Sequence, residues 1–286
     1  MTETKIQTGY RSSLAIKTAI IYVMMVIFAL IAIVPVWVML VNATRTTEQI
    51  NAGLAIFPST HALENWHVLT NRNFQIWQGF INSAIISVCS TALCVYFSSL
   101  TAYGLHVYQF KGRKVLQSLI MTLILLPASL SFIGFYQFMA RLHLTDSFIP
   151  LIIPSIASAG SVLFIKQYLD SILSLELVEA SRIDGAGEFR TFNTIVLPVI
   201  KPAIATQAIF AFVFSWNNFM TPFVLLSSTR KYTLPMLVQM LRGDIYRTEY
   251  GGIYLGIAVS LIPIIVFYAF MSRNIIGGLT MGSVKE

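Results

Sequence analysis

Two sets of residues in this 286-residue chain have the types and spacing to do chemistry. The first lies between Leu175 and Pro202. Leu177, Ala180, Ser181 and Asp184 fall at i, i+3, i+4 and i+7, which is one face of a short helix. Ala180 and Ser181 are small, so that face can approach another protein closely. Gly185, directly after Asp184, is a natural helix stop. Gly187 gives a second bend, residues 188–194 suit another short helix, and Pro198 and Pro202 stiffen the chain beyond. Glu179, Arg182, Asp184 and Glu188 supply charges for contacts. This is the chemistry of docking against a protein; taken alone, the pattern equally suits a solvated loop. The second set is embedded in apolar runs: Asn82, Tyr136, Gln137, Gln167, Trp216, Asn217 and Asn218. Amides pair with hydroxyls and aromatic faces cover apolar ring faces, a combination that suits a neutral hydroxylated ligand. Each of these residues can equally bond a neighbouring helix.

Catalytic signatures do not stand out. There is no G-x4-G-K-[ST] loop to cradle a nucleotide and no H-E-x-x-H zinc site. The four histidines, His61, His67, His106 and His143, are scattered over different loops and ends. No nucleophile–base pattern is visible, and no cofactor is expected in this chain. Cys89 and Cys94 share one apolar block and read as small packing residues rather than a disulfide framework.

The elements that must position these residues are helices in lipid. Hydrophobic residues make up 56% of the chain and charged residues only 11%, against about 25% charged in soluble domains. The apolar residues come in blocks, not at amphipathic spacing. Six blocks reach the length of about 20 residues that a spanning helix needs: 18–41, 80–105, 115–140, 148–168, 203–226 and 252–271. The expected fold is all-α, a polytopic membrane protein of about six transmembrane helices with one ordered loop at 175–202. Pro35, Pro127, Pro150, Pro154, Pro222 and Pro263 fall inside these blocks and read as kinks whose freed carbonyls neighbouring helices satisfy. Ser83, Ser87 and Thr91, like Gly252 and Gly256, give small residues every four positions, a helix-packing signal. The outer loop 42–79 is the longest and carries Phe57, Trp66, Phe74 and Trp77, a composition that suits an ordered interfacial segment.

The net charge of +7 is a topology signal rather than a nucleic-acid footprint, since its densest run, Lys111-Gly112-Arg113-Lys114, is a short stretch between two apolar blocks. Twelve of the 19 Lys and Arg fall on the side carrying both ends and the 175–202 loop, seven on the other. The richer side is expected in the cytoplasm. Residues 1–17 then form a cytoplasmic segment, 18–272 one transmembrane domain and 273–286 a cytoplasmic tail. The first apolar run is too long for a signal peptide and reads as a retained anchor.

Glu179-Ala180-Ser181, Gly185, Ile195 and Leu197-Pro198 resemble E-A-A-x3-G-x9-I-x-L-P, the signature of permease subunits of bacterial ATP-binding-cassette (ABC) importers. Further likeness to the carbohydrate-uptake, maltose-type branch runs along most of the chain. Glu64-Asn65-Trp66 resembles its E-N-Y/W segment, and Asn82-Ser83 with Ser90-Thr91 its N-S…S-T pattern. Thr101-Ala102-Tyr103-Gly104 and Phe110-Lys111-Gly112-Arg113-Lys114 are similar to A-A-Y-A…F-x-G-R-K, and Leu126-Pro127 to the L/M-P of the third span. Trp216-Asn217-Asn218-Phe219 with Pro222 resembles W-N-D/E-F…P, and 278–285 the terminal G-L-T-x-G-x-V-K. The chain departs from the pattern at Ser174, where proline is frequent, at Ser181, and at the final Glu286.

The resemblance implies a coupling helix that docks into a cleft on an ATP-binding subunit, with Glu179, Ala180, Ser181, Asp184 and Gly185 as coupling residues and Gly282 to Lys285 as secondary candidates. It implies a second homologous permease, two ATPase subunits, an extracytoplasmic solute-binding protein and a carbohydrate substrate in a bacterial inner membrane, with ATP hydrolysis in separate chains. A permease for another small solute is one alternative. An ion-coupled secondary transporter is another, but it wants intramembrane carboxylates, and the six blocks contain no Asp or Glu.

Overall fold

With no water to hydrogen-bond an exposed backbone, a chain that crosses lipid must satisfy its N–H and C=O groups within itself, and helices do this locally. The computed structural model describes residues 2–71, 75–127, 132–242 and 249–282, and the described residues are helical apart from turns and short connections. Among the described residues, four helices are long and apolar enough to cross a membrane: Lys17–Asn42, Ile76–Val107, Ile149–Ile172 and Tyr250–Asn274. The first of these buries none of its most apolar stretch against the rest of the chain, as expected of a surface whose solvent is lipid.

Ile149–Ile172 itself passes through a tighter turn at Ile153–Ala157 and an extended Ser158, and the two remaining apolar blocks are also interrupted. In block 115–140, a helix Arg113–Leu125 is followed by Phe132–Arg141, and residues 128–131 lie outside the described residues. Pro127 sits directly after the first helix and has no N–H to continue the ladder. In block 203–226, the helix Lys201–Trp216 stops and Met220–Leu225 begins after a short break. Asn217 and Asn218 occupy that break. The Asn217 amide donates to the Val213 carbonyl at 3.0 Å, and Asn218 Oδ1 accepts from the Thr221 N–H at 3.2 Å. Asn218 thus supplies an acceptor to the first turn of the next helix, and Asn217 adds a second bond to a carbonyl that already accepts its own N–H at 3.1 Å. Upstream, Glu188–Val199 meets Lys201–Trp216 at an angle of 81°.

Backbone contacts divide the chain into two compact units. One comprises Met1–Arg72 with Leu241–Val259. Its organising group is the buried Arg45, which donates to Asn42 Oδ1 and the Gly53 carbonyl, each at 3.0 Å, and to the Gln49 carbonyl. A cation just past the end of the first helix also complements that helix's dipole. Asn65 donates to the carbonyls of Ala43 and Arg45 at 2.9 and 3.0 Å. Gly251 packs so closely here that a Cβ would run into the Arg45 carbonyl and the Asn65 amide.

The other unit comprises Asn73–Met240 with Ser260–Glu286. Its centre is the helix Ile76–Val107, packed against Ala159–Ile172 and Lys201–Trp216. The buried face of the central helix is rich in small residues, among them Ser83, Ser87, Ser90, Thr91, Ser98, Ser99 and Ala102, which lets neighbouring backbones come close. Near its N-terminal end, Ser83 Oγ accepts from the Leu234 N–H at 2.9 Å, and a Cβ on Gly79 would lie 2.5 Å from Leu237 Cδ1. Two connecting loops are clasped by Asp146, which has a left-handed φ of 54°. Its carboxylate accepts from the N–H groups of Ser227 and Ser228, the Ser228 hydroxyl and Lys231 Nζ. The Ser228 bonds, with those from Lys231 and Ser227 behind them, hold the Asp146 carboxyl well below the usual carboxylate range.

Candidate functional site

The segment from Leu175 to Pro202 folds as two short helical arms joined by a sharp turn. The first arm, Leu175–Ile183, follows Ser174 in extended conformation. It closes with two crossed backbone bonds, Ala186 N–H to the Ser181 carbonyl and Gly185 N–H to the Arg182 carbonyl, each 3.0 Å. This is a Schellman cap, and it requires the left-handed residue that follows the cap position. Gly185 supplies it at φ +80°. The second arm starts at Glu188–Thr191, passes through a wider turn over Phe192–Val196, and ends at Leu197–Val199. Phe192 and Val196, four positions apart, both face inward.

One stripe of each arm joins the hydrophobic core of the spans. Val178, Phe192, Val196 and Ile200 are buried in one cluster with Ala102, Tyr103, Ile165, Leu169 and Leu173. The loop is thus packed as part of the bundle and cannot shift without moving the ends of two spans, because packed side chains leave little free volume. Polar ties reinforce this. His106, near the end of Ile76–Val107, sets Nδ1 2.8 Å from Asp170 Oδ1 and Nε2 3.1 Å from the Leu173 carbonyl. Asp170 also accepts from Lys166 Nζ at 2.6 Å. Asp170 falls in the last turn of the helix Ile149–Ile172, beyond the block read from the sequence, and it is paired. Arg182 Nε donates to Glu188 Oε1 at 2.7 Å, and the Tyr103 hydroxyl donates to Glu188 Oε2 at 3.1 Å. The Arg182 bond, supported by Tyr108 and Tyr103, holds the Glu188 carboxyl below its ordinary value.

The five residues expected to make external contacts divide. Glu179, Ala180, Asp184 and Gly185 are exposed. Ser181 is not: it is 4% exposed, donates to the Val178 carbonyl at 2.7 Å and accepts from Thr191 Oγ1 at 3.0 Å. Its small side chain lets the two arms of the loop approach each other, not a separate protein. Arg182 and Glu188 are occupied with one another. What the turn offers outward, besides Glu179 and Asp184, is Ile183, 86% exposed, and Phe189, 68% exposed. Sequence reasoning passed over both. A large apolar residue out of phase with the inward stripe of Val178 and Ser181 was the available signal. The tail residues 283–285 lie outside the described residues.

The residues expected along a path divide too. Asn82 is buried and donates to the carbonyls of Arg230 and Tyr232, each at 2.9 Å. Trp216 is 1% exposed, donates from Nε1 to the Ser260 carbonyl at 3.0 Å, stacks on Phe212 and meets the Phe80 ring edge-on. Both hold helices and loops together. Tyr136, Gln137 and Asn217 are exposed, and Gln167 borders a small cavity of about 220 Å³. Asn218 alone of the set lines the main cavity, of about 880 Å³. That cavity is walled by Phe132, Phe135, Phe210 and Phe214, with Ser90, Ser155, Ser158, Ser161, Ser215, Thr221 and Gln207 among its polar lining. None of its lining residues is Asp, Glu, Lys, Arg or His. Gln207 was legible as the one amide in the apolar run 203–214 and was not singled out.

The family described as binding-protein-dependent transport system inner membrane component matches residues 95–279, a stretch that contains the whole 175–202 loop and most of the cavity lining. The chain belongs to this family. It is therefore a permease subunit of an ABC importer, and the ATPase of such a system is a separate subunit. The permease is 31% identical over 260 residues to the arabinooligosaccharides transport system permease protein AraQ of Bacillus subtilis, covering 90% of this chain and 92% of AraQ. It is 27% identical to the lactose transport system permease protein LacG of Rhizobium radiobacter, covering 92% and 95% of the two chains. The diacetylchitobiose uptake system permease protein NgcG of Streptomyces coelicolor is also 27% identical, with coverages of 93% and 89%. Among solved structures, a bacterial ABC transporter involved in import of the acidic polysaccharide alginate shares the fold, at a TM-score of 0.77, 22% identity and coverages of 90% and 96%. The permease is thus an all-α, multi-pass inner-membrane protein that works with other ABC components.

Proposed function

We propose that this permease forms half of an ATP-driven import path for a carbohydrate, an oligosaccharide, together with a second homologous permease, two ATPase subunits and an extracytoplasmic solute-binding protein. The observation that carries the reading is the exposed turn of the 175–202 loop, built on the same core that packs the spans. Glu179, Ala180, Asp184 and Gly185, with Ile183 and Phe189 beside them, form the surface that meets an ATPase. Ser181 sets the shape of that surface from inside. Aromatic walls with hydroxyl and amide groups between them suit sugar rings, and the relatives named for arabinooligosaccharides, lactose and diacetylchitobiose support the same substrate class.

In the source bacterium, deleting the gene for this chain is expected to reduce uptake of one radiolabelled oligosaccharide, from a panel of arabinotriose, lactose and diacetylchitobiose, to background. Restoring the gene should restore uptake. Unchanged uptake of all three in the deletion strain would count against the carbohydrate reading.

The excess of Lys and Arg on one side supports cytoplasmic ends, a cytoplasmic 175–202 loop, and boundaries at 1–17, 18–272 and 273–286. Reporter fusions after Glu286 and within 111–114 should then read cytoplasmic, and a fusion at His61 external. An external reading after Glu286 would overturn the orientation.

A further inference from the structure

Gln207 is 9% exposed, sits midway along Lys201–Trp216 and borders the main cavity. Its Oε1 is fixed by a relay of hydroxyls. Ser158 Oγ donates to Ser161 Oγ at 2.9 Å, and Ser161 Oγ donates to Gln207 Oε1 at 3.0 Å. Ser158 occupies the cap position of the helix Ala159–Ile172 yet makes no cap bond with its side chain. A serine there ordinarily accepts from a free N–H of the first turn; here its hydroxyl makes no such bond and donates to Ser161. The amide Nε2 of Gln207 makes no hydrogen bond to a described residue. That nitrogen is not among the buried polar atoms left without a partner, so it opens to the cavity, and its two donor hydrogens are available to an acceptor that enters.

We infer that Gln207 is the group with which this subunit reads the passing solute, donating from Nε2 to a hydroxyl or ring oxygen of a neutral sugar. The inference rests on the import reading above and deepens it in two respects. It assigns a ligand contact to this permease itself, whichever contacts the second permease adds. It also names a neutral rather than an acidic carbohydrate. Among the described residues no cation lines the cavity, and a uronate carboxylate brought between Phe132, Phe135, Phe210 and Phe214 would be desolvated with no charge from them to meet it. Phenyl faces instead cover the apolar faces of sugar rings. The relay has a consequence of its own: with Oε1 held by Ser161, the plane of the amide is set and Nε2 presents its donors at one place along the path.

The test uses the complete complex in proteoliposomes with ATP, its binding protein and radiolabelled arabinotriose, lactose, diacetylchitobiose and trigalacturonate. The unmodified complex should import at least one of the three neutral sugars and leave trigalacturonate outside. Gln207→Met keeps the length of the side chain and removes both donors. It should raise the KM for the imported sugar about tenfold, the effect of losing one buried hydrogen bond, with kcat changed much less. Ser161→Ala leaves the amide in place but frees its orientation, and should raise KM by a smaller factor of about two to four. Recovery of the variants with all partner subunits checks assembly, and should Gln207→Met not assemble, the Ser161→Ala arm decides. If the unmodified complex imports none of the four sugars, the import reading fails and this inference with it. If a neutral sugar is imported and KM stays within twofold in the assembled variants, only the role of Gln207 falls. Import of trigalacturonate as efficient as that of the neutral sugars would overturn the neutral-substrate assignment alone.

Discussion

Gly185→Asp is expected to insert into the membrane at the unmodified level and to import nothing. Gly185 closes the first arm of the loop at φ +80°, a conformation that costs most L-residues about 1–2 kcal/mol. Aspartate is among the side chains that tolerate this region best. Nothing lies within 4 Å of the position its Cβ would occupy, so the loop itself should survive. The damage falls on the surface outside. A second carboxylate is placed beside the exposed Asp184 and Ile183, in the turn proposed to enter a cleft on an ATPase. Burying an unpaired charge in an interface is far more costly than the strain. Uptake should drop to that of vesicles without transporter, and the ATPase subunits should no longer co-purify. Gly185→Asn has similar backbone tolerance and no charge, so it should retain a measurable fraction of uptake. Full uptake with normal ATPase recovery in Gly185→Asp would remove the docking role from this turn.

Much of the loop was legible in the sequence because its constraints are local. A left-handed cap needs glycine, bends need Gly187 and the prolines, and the spacing of these residues survives in one dimension. The placement of Ser181 was not legible for a related reason. Residues 177, 180, 181 and 184 do share a helix face, but periodicity does not say whether a face meets its own protein or another. The structure settles it through partners distant along the chain: Thr191 and Phe192 close over the side bearing Val178 and Ser181. The same limit explains the path residues. A polar group in an apolar span is expected to face protein, yet whether that protein is a cavity wall or a loop depends on long-range neighbours. Asn82 bonds residues about 150 positions away, at Arg230 and Tyr232. Trp216 seats its indole on a helix 44 positions downstream, at Ser260. Hydropathy reports composition and is blind to the continuity of the hydrogen-bond ladder; proline marked the interruption after Leu125 in advance, while the break at Asn217 left no such signal.

In the proposed assembly, energy enters at a surface and selectivity lies in a cavity of the same chain. The turn proposed to dock and the ends of the spans share a single core, so a push on the turn would be delivered to the helices that border the cavity. The spans read from the sequence contain no carboxylate, and Asp170 at the end of one helix is already paired with Lys166 and His106. An ion gradient therefore has no free intramembrane acid to act on in this permease, and the sequence has no phosphate-binding loop of its own.

The central claim is tested most directly by reconstituting this permease with its partner permease in liposomes and measuring uptake of a labelled oligosaccharide, first without and then with the ATPases, the binding protein and ATP. The account predicts vectorial uptake only in the complete, ATP-supplied assembly, and none under a proton or sodium gradient alone. Uptake driven by either gradient in the absence of the ATPases would contradict it.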